Sequence, residues 1–210
     1  MSTYRALLVD YGGVLTTSLH SWLDESCRAV GVDTALFIKH LDQLTPSPFA
    51  LIETGSISRE EFGRLLEPAL AASASDGAQP SGMDWLNAIR ISEKYLDLAM
   101  IAEIERLSDL GVRVVLLSNS WGKDEYPWHL LPTFDATVIS GSVGVRKPDR
   151  GIYEMAIAAA GVPAHQCVFI DDTAENLPPA EALGIYSLHH LDAAQTLTRL
   201  AELFPTGSAS

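Results

Sequence analysis

Three strand-sized apolar runs each stop at a polar or acidic residue. Ala6 to Val9 runs into Asp10, Val112 to Leu117 into Ser118, and Val168 to Ile170 into Asp171-Asp172. Runs of this length bounded by turn residues predict buried strands, with Gly12-Gly13 marking a tight turn after the first. Helical patterns lie between the later ones. Strands that alternate with helices are joined by right-handed crossovers into a parallel sheet covered on both faces, and ligand groups gather beyond its carboxyl ends. That topology predicts an α/β fold in which Asp10, Ser118 and Asp171 come together.

The rest of the chain fills in the pattern. Leu19, Trp22, Leu23, Cys27 and Val30 recur at helical spacing before Gly31. Ser58 and Glu61 have the spacing of a capping box, with Ile57 and Phe62 placed as its hydrophobic staple. Residues 72–82 are small, polar and aperiodic, which predicts a mobile loop between helical stretches. A helix is expected from about Tyr95 to Leu110, ending at Gly111. Further on we expect a strand near Ala136 to Ile139, a helix from about Asp149 to Ala160 and another over Pro179 to Leu183. Residues 16–94 interrupt the alternation with helical patterns. We therefore expect a core of residues 1–15 and 95–205, a small α-helical cap of residues 16–94 inserted after the first strand, and a flexible tail at 206–210. Hinges are expected near Thr16-Thr17 and Lys94-Tyr95.

Charge narrows the partners. Asp and Glu total 27 against 14 Lys and Arg, a net charge of −13 that repels nucleic acid and anionic membranes but not a small anion held by local positive charge. No nucleic-acid or membrane partner is expected, and the substrate should be small. The longest apolar runs fall far short of the ~20 residues of a membrane span. No charged-then-apolar leader opens the sequence, and Cys27 and Cys167 show neither metal-site nor disulfide-scaffold spacing. A cytoplasmic location is expected.

The chemistry rests on the strand ends. Adjacent carboxylates at Asp171 and Asp172, brought near Asp10, need a cation to offset their repulsion, and Mg²⁺ is a hard, oxygen-seeking one. Ser118-Asn119 ends another strand, and Arg146-Lys147-Pro148 leads into a helix, where a fixed ammonium would offset phosphate charge. Asp10, Ser118-Asn119, Lys147 and Asp171-Asp172 follow in order across nearly all of the chain, and in this the sequence resembles the haloacid dehalogenase superfamily. The resemblance implies a Rossmann-like core with helices on both faces, carrying a helical cap after the first motif. It implies Asp10 as nucleophile, Ser118 and Asn119 as substrate-binding groups, and Lys147 as a charge-neutralising catalytic and substrate-binding base. A metal site is implied at Asp10, the Gly12 carbonyl, Asp171 and Asp172, with Mg²⁺ as cofactor. Asn176 matches a frequent polar position of the family.

The expected activity is Mg²⁺-dependent removal of phosphate from a small phosphorylated molecule, including sugar phosphates, through an aspartyl-phosphate on Asp10. Family phosphatases usually place a second Asp two residues after the nucleophile as the leaving-group acid, where this chain has Gly12. His20, Asp124 and Glu125 are candidate replacements. The same gap admits two other readings: carbon–halogen hydrolysis, which needs no such acid, and a phosphate-binding regulatory protein without turnover. Trp121 and Trp128 follow the second motif and are candidates to shape a pocket. The remaining histidines and Cys27 show no catalytic spacing.

Overall fold

Every residue of β1 (Ala6–Val9) is fully buried, as expected of a central strand with parallel neighbours and both faces covered. The computed structural model describes residues 4–17, 19–89, 93–123 and 126–205. In it β1 pairs in parallel with β2 (Arg113–Ser118) on one side and β4 (Cys167–Asp171) on the other; β3 (Ala136–Ile139) and β5 (Tyr186–His189) form the edges. The order is β3-β2-β1-β4-β5. The chain moves outward through β2 and β3, then crosses back beyond β1 to lay down β4. That reversal opens a crevice at the carboxyl ends around β1.

Register decides who meets there. Val9 is level with Leu116 of β2 and with Ile170 of β4, so Asp10 comes next to Asp171. The Asp10 N–H still donates to the Ile170 carbonyl (3.0 Å). Strand alternation then divides the core. Leu7 and Val9 belong to the layer with α6 (Leu98–Asp109) and α10 (Ala193–Leu203), whereas Ala6 and Leu8 belong to the layer with α8 (Arg150–Ala160) and α9 (Leu177–Glu181).

The helix expected over 95–110 is shorter. Glu93–Tyr95 is a separate 3₁₀ turn, and Asp97 starts α6 by accepting from the N–H groups of Ala99 and Met100 (both 3.0 Å). An aspartate at this point satisfies more orphan donors as a cap than inside a helix. β5 and α10 carry no assignment in the sequence reading, because Tyr186-Ser-Leu-His is a short edge strand in which only Leu188 is buried. The short helix α7 (Ser140–Val143) follows β3 directly.

Between β1 and α6 the chain forms α1 (Leu19–Ala29), α2 (Thr34–Leu41), α3 (Pro48–Glu53), α4 (Arg59–Ala72) and α5 (Gly82–Ala88). They pack on a cluster of their own in which Cys27, Phe37, Phe62, Leu66, Leu70, Trp85 and Leu86 are fully buried. Both halves of the Ser58/Glu61 capping box form, and Ile57 packs on the cluster that contains Phe62. A second box, Ser81 with Asp84, starts α5 inside the stretch expected to be loop. Residues 73–81 join the two helices, and Ala74 bridges to Val32. The two chain crossings between these helices and the sheet are tied together: Thr17 N–H donates to the Tyr95 carbonyl (2.6 Å) and Asp97 N–H to that of Leu15 (2.9 Å). No helix among the described residues is long and apolar enough to cross a membrane. The expected tail at 206–210 lies outside the described residues.

The helical cluster depends on one close approach. A Cβ on Gly82 would lie 1.8 Å from the Gly63 carbonyl oxygen and 2.6 Å from its Cα, so α4 and α5 touch backbone to backbone. Gly82→Ala should destabilise this cluster by at least about 1–3 kcal/mol. The loss should appear as a lowered unfolding midpoint reported by the buried Trp85. Gly122→Ala, where a Cβ meets nothing within 4 Å, is the matched control and should leave the midpoint unchanged.

Candidate active site

Asp171, the last residue of β4, is completely buried and fully engaged. Its Oδ1 accepts from the Thr173 N–H (2.8 Å) and Asn176 Nδ2 (2.9 Å), and its Oδ2 lies 2.6 Å from Lys147 Nζ. The Asn176 carbonyl accepts from the Tyr153 hydroxyl of α8 (2.7 Å), so packing beneath the site fixes the amide that orients Asp171. Lys147 Nζ also lies 2.8 Å from Asp10 Oδ1. Only 1% of Lys147 is exposed, and its ammonium spans the ends of β1 and β4.

Lys147 itself comes from the loop before α8 and is held by the end of β2. Asn119 Oδ1 accepts from the Lys147 N–H (2.8 Å), while Asn119 Nδ2 donates to the Lys147 carbonyl (3.0 Å). The Asn119 side chain is thus committed to placing the lysine. Ser118 beside it is 2% exposed and lines the cavity above the site, as do Asn119 and Gly12.

One oxygen from each of Asp10, Asp171 and Asp172 falls within 4.8 Å of the others. Three carboxylates then share a single ammonium. Burial pushes Asp10 up to about 7, with Lys147 opposing and Asp171 reinforcing the rise. Burial and Asp171 also raise Asp172. For Lys147 burial disfavours the charge, but Asp10 and Asp171 outweigh it and the ammonium is held above its usual range. An all-oxygen donor set with uncompensated negative charge fits a hard divalent cation such as Mg²⁺.

Gly13 is shaped by this cluster. It sits at φ +74°, and a Cβ there would lie 2.0 Å from Asp172 Oδ2. Gly12, next to it, has open space: a Cβ would meet nothing within 4 Å.

Above the acidic cluster lies a cavity of about 140 Å³ between the sheet edge and helices α1 and α3. Trp22, Phe49, Ile89, Tyr95, Trp121 and Tyr126 contribute to its wall. Trp121 meets Phe62 of α4 edge-on (centroids 5.2 Å apart) and lies under the Arg59 guanidinium at 5.6 Å. Trp128 instead packs against Tyr126 and Phe134, is 39% exposed, and does not line the cavity. No described histidine or cysteine lines it either. Asp124, Glu125 and the side chain of His20 lie outside the described residues.

One acidic residue of this region has no role among the expectations from sequence. Glu53, in the last turn of α3, lines the cavity and pairs with Arg146 (2.9 Å), the neighbour of Lys147. Burial raises the Glu53 carboxyl, against the pull of Arg146. A lone Glu near a helix C-terminus has no distinguishing pattern in sequence; its one local signal is that the helix dipole disfavours a carboxylate there.

Two consequences can be measured. Gly13→Ala should cost at least about 2 kcal/mol through its left-handed backbone and the clash with Asp172, and should weaken Mg²⁺ binding by calorimetry; Gly12→Ala should do neither to that extent. Asp10→Asn should raise metal-free stability at pH 8. An acid raised on folding contributes instability that grows as pH climbs from its unfolded value of 3.8 to its folded one. The gain, on the order of a few kcal/mol, should fade towards pH 4 and shrink when Mg²⁺ is added. A denaturation series against pH, with and without Mg²⁺, decides it.

Comparison with known proteins agrees with this geometry. Residues 4–184 match the family described as haloacid dehalogenase-like hydrolase. The chain is 28% identical to the sesquiterpene phosphatase astK of Aspergillus oryzae, over 96% of this chain and 97% of that protein. It is 26% identical to acyl-CoA dehydrogenase family member 10 of Mus musculus over 95% of its own length, but spans only 19% of that longer protein. A haloacid dehalogenase family enzyme of Bacteroides thetaiotaomicron, crystallised with magnesium and inorganic phosphate, superposes with a TM-score of 0.69 at 22% identity, covering 92% of this chain and 98% of that one. With its parallel sheet, its strand-end carboxylates and this family match, the chain belongs to the haloacid dehalogenase-like hydrolases.

Proposed function

We propose that this hydrolase is a Mg²⁺-dependent phosphatase that acts on a small phosphorylated molecule through an aspartyl-phosphate on Asp10. The observation that carries the reading is the excess of three clustered carboxylates over the one buried ammonium of Lys147. Attack on carbon in a halide needs no divalent cation, so that charge excess favours phosphoryl transfer over dehalogenation. The phosphatase named among its relatives points the same way. A nucleophile, a cation site and a fixed lysine in one crevice favour turnover over a purely regulatory binder.

Asp10, Asp171, Asp172 and the Gly12 carbonyl would hold the metal. When bound, Mg²⁺ supplies charge that offsets the phosphoryl oxygens and the repulsion between the carboxylates. The remaining steps belong to the chain. Lys147 fixes the Asp10 carboxylate and neutralises charge on the phosphoryl group, while Ser118 helps orient it. Asn119 acts through Lys147, whose backbone it grips. Asp10 attacks phosphorus in line, and the bond from phosphorus to the alcohol oxygen breaks. That oxygen takes a proton from water. A second water then attacks phosphorus, loses its proton to solvent, and releases phosphate and the Asp10 carboxylate.

Residues 16–94 act in this proposal as a cap over the crevice, moving about Thr16-Thr17 and Lys94-Tyr95 and excluding water when closed. The free, buried Cys27 and Cys167 are suited to the reducing cytoplasm, where we place the protein.

Phosphate release from a panel of phosphate monoesters, with and without Mg²⁺, tests the function. We expect release that requires Mg²⁺ and is abolished by Asp10→Asn; release unaffected by either change would refute it. A second expectation comes from Gly12. With no acid at that position, rates should fall steeply as the leaving alcohol becomes more basic. Gly12→Asp places a carboxyl in open space and should accelerate poor leaving groups by about 10²-fold or more, with little effect on p-nitrophenyl phosphate. A parallel shift for all leaving groups would contradict the missing-acid account.

A further inference from the structure

The cavity above Asp10 says something about the alcohol. It is bordered by Tyr11, Gly12, Ser118 and Asn119, the neighbours of Asp10 at the strand ends, so in the phosphatase reading it would receive the group esterified to the phosphate. Its walls are faces of Trp22, Phe49 and Trp121, the side chain of Ile89, and the rings of Tyr95 and Tyr126. Several polar side chains among the lining residues are already engaged, and the Ser118 and Ser120 hydroxyls stand at and just beyond the end of β2, on the phosphate side. Both ends of the Asn119 amide bind the Lys147 backbone, and Glu53 pairs with Arg146. Thr16 Oγ1 accepts from the Gly13 N–H (3.1 Å), and the Tyr95 hydroxyl donates to Glu25. The Tyr11 hydroxyl has no hydrogen-bond partner and is itself buried, so it presents no surface to a hydroxylated guest.

We infer that this cavity binds the alcohol half of an apolar phosphate monoester, a chain or ring of about six carbons next to the ester oxygen, and disfavours sugar phosphates. The inference rests on the phosphatase reading and names its substrate class. A cavity of about 140 Å³ matches the size at which an apolar protein cavity takes up a benzene-sized guest. Hydroxyl groups pushed into such walls lose water without regaining partners. Burying a methylene, by contrast, is favourable and nearly additive until the space is full.

The experiment is a homologous series, methyl to octyl phosphate, with benzyl phosphate, glucose 1-phosphate, glucose 6-phosphate and acetyl phosphate, all with Mg²⁺. We expect kcat/KM to rise about fourfold per methylene, to level off near six carbons, and to leave glucose 6-phosphate, a primary-alcohol ester like the alkyl series, near the methyl phosphate value. Ile89→Trp, which fills the cavity, should move the break to shorter chains. A variant that merely misfolds would lower every rate and leave the break in place. Glucose 6-phosphate hydrolysed faster than hexyl phosphate, or a rate flat across the series, would overturn the inference and leave the phosphatase reading standing. If no substrate releases phosphate, acetyl phosphate included, the phosphatase reading falls, and the cavity is judged by binding of 1-hexanol through quenching of Trp22 and Trp121. Saturable binding lost in Ile89→Trp supports an apolar subsite; its absence in the wild-type protein overturns it.

Discussion

Lys147 holds the site together because its ammonium is the single positive charge against which two strand ends are fixed. It lies within 2.8 Å of both Asp10 and Asp171, almost wholly out of water. Removing a charge from water is costly, and such a cluster persists only when geometry and extra hydrogen bonds offset the loss. Two members here have them: Asp171 takes two donors besides the lysine, and the lysine backbone is gripped from the end of β2 by Asn119. β1, β2 and β4 are thereby joined by polar contacts at the point where the crossover order leaves their ends adjacent. A parallel sheet supplies the adjacency; the ion cluster supplies the alignment.

That adjacency was readable in the sequence because it follows from periodicity alone. Apolar runs of strand length, each stopping at Asp10, Ser118 or Asp171, can end at one sheet edge in a parallel sheet, and the register places Asp10 level with Asp171. Lys147 is different. It lies in a loop with no periodic signal, and only the order of motifs shared with a family singled it out. The cavity was less legible still. Trp22, Phe49 and Ile89 come from α1, α3 and the end of α5, and nothing local distinguishes them from the apolar residues that fill a helical core; Trp121 alone stood out, by its place after the second motif. Of the two tryptophans after Ser118, one turns to the cavity and the other packs on Phe134, a choice made by tertiary packing. The errors in secondary structure are local in the same way: Asp97 reads as part of an amphipathic helix until its side chain is seen capping the next turn.

The two glycines after the nucleophile show how charge and shape constrain one another. Gly13 is imposed by its backbone and by Asp172, whose carboxylate occupies the space a side chain would need. Gly12 is under no such steric demand, so its lack of a side chain has to be explained by what a side chain would do there. A carboxyl at this position would add a fourth acid beside a cluster in which three already share one ammonium. It would also set a charged group at the border of a cavity whose walls are mostly aromatic and aliphatic. A bare backbone at position 12 adds no further negative charge beside the cluster and no charged group to the cavity. The proton it fails to supply is then the cost of that arrangement, and it falls on the leaving oxygen.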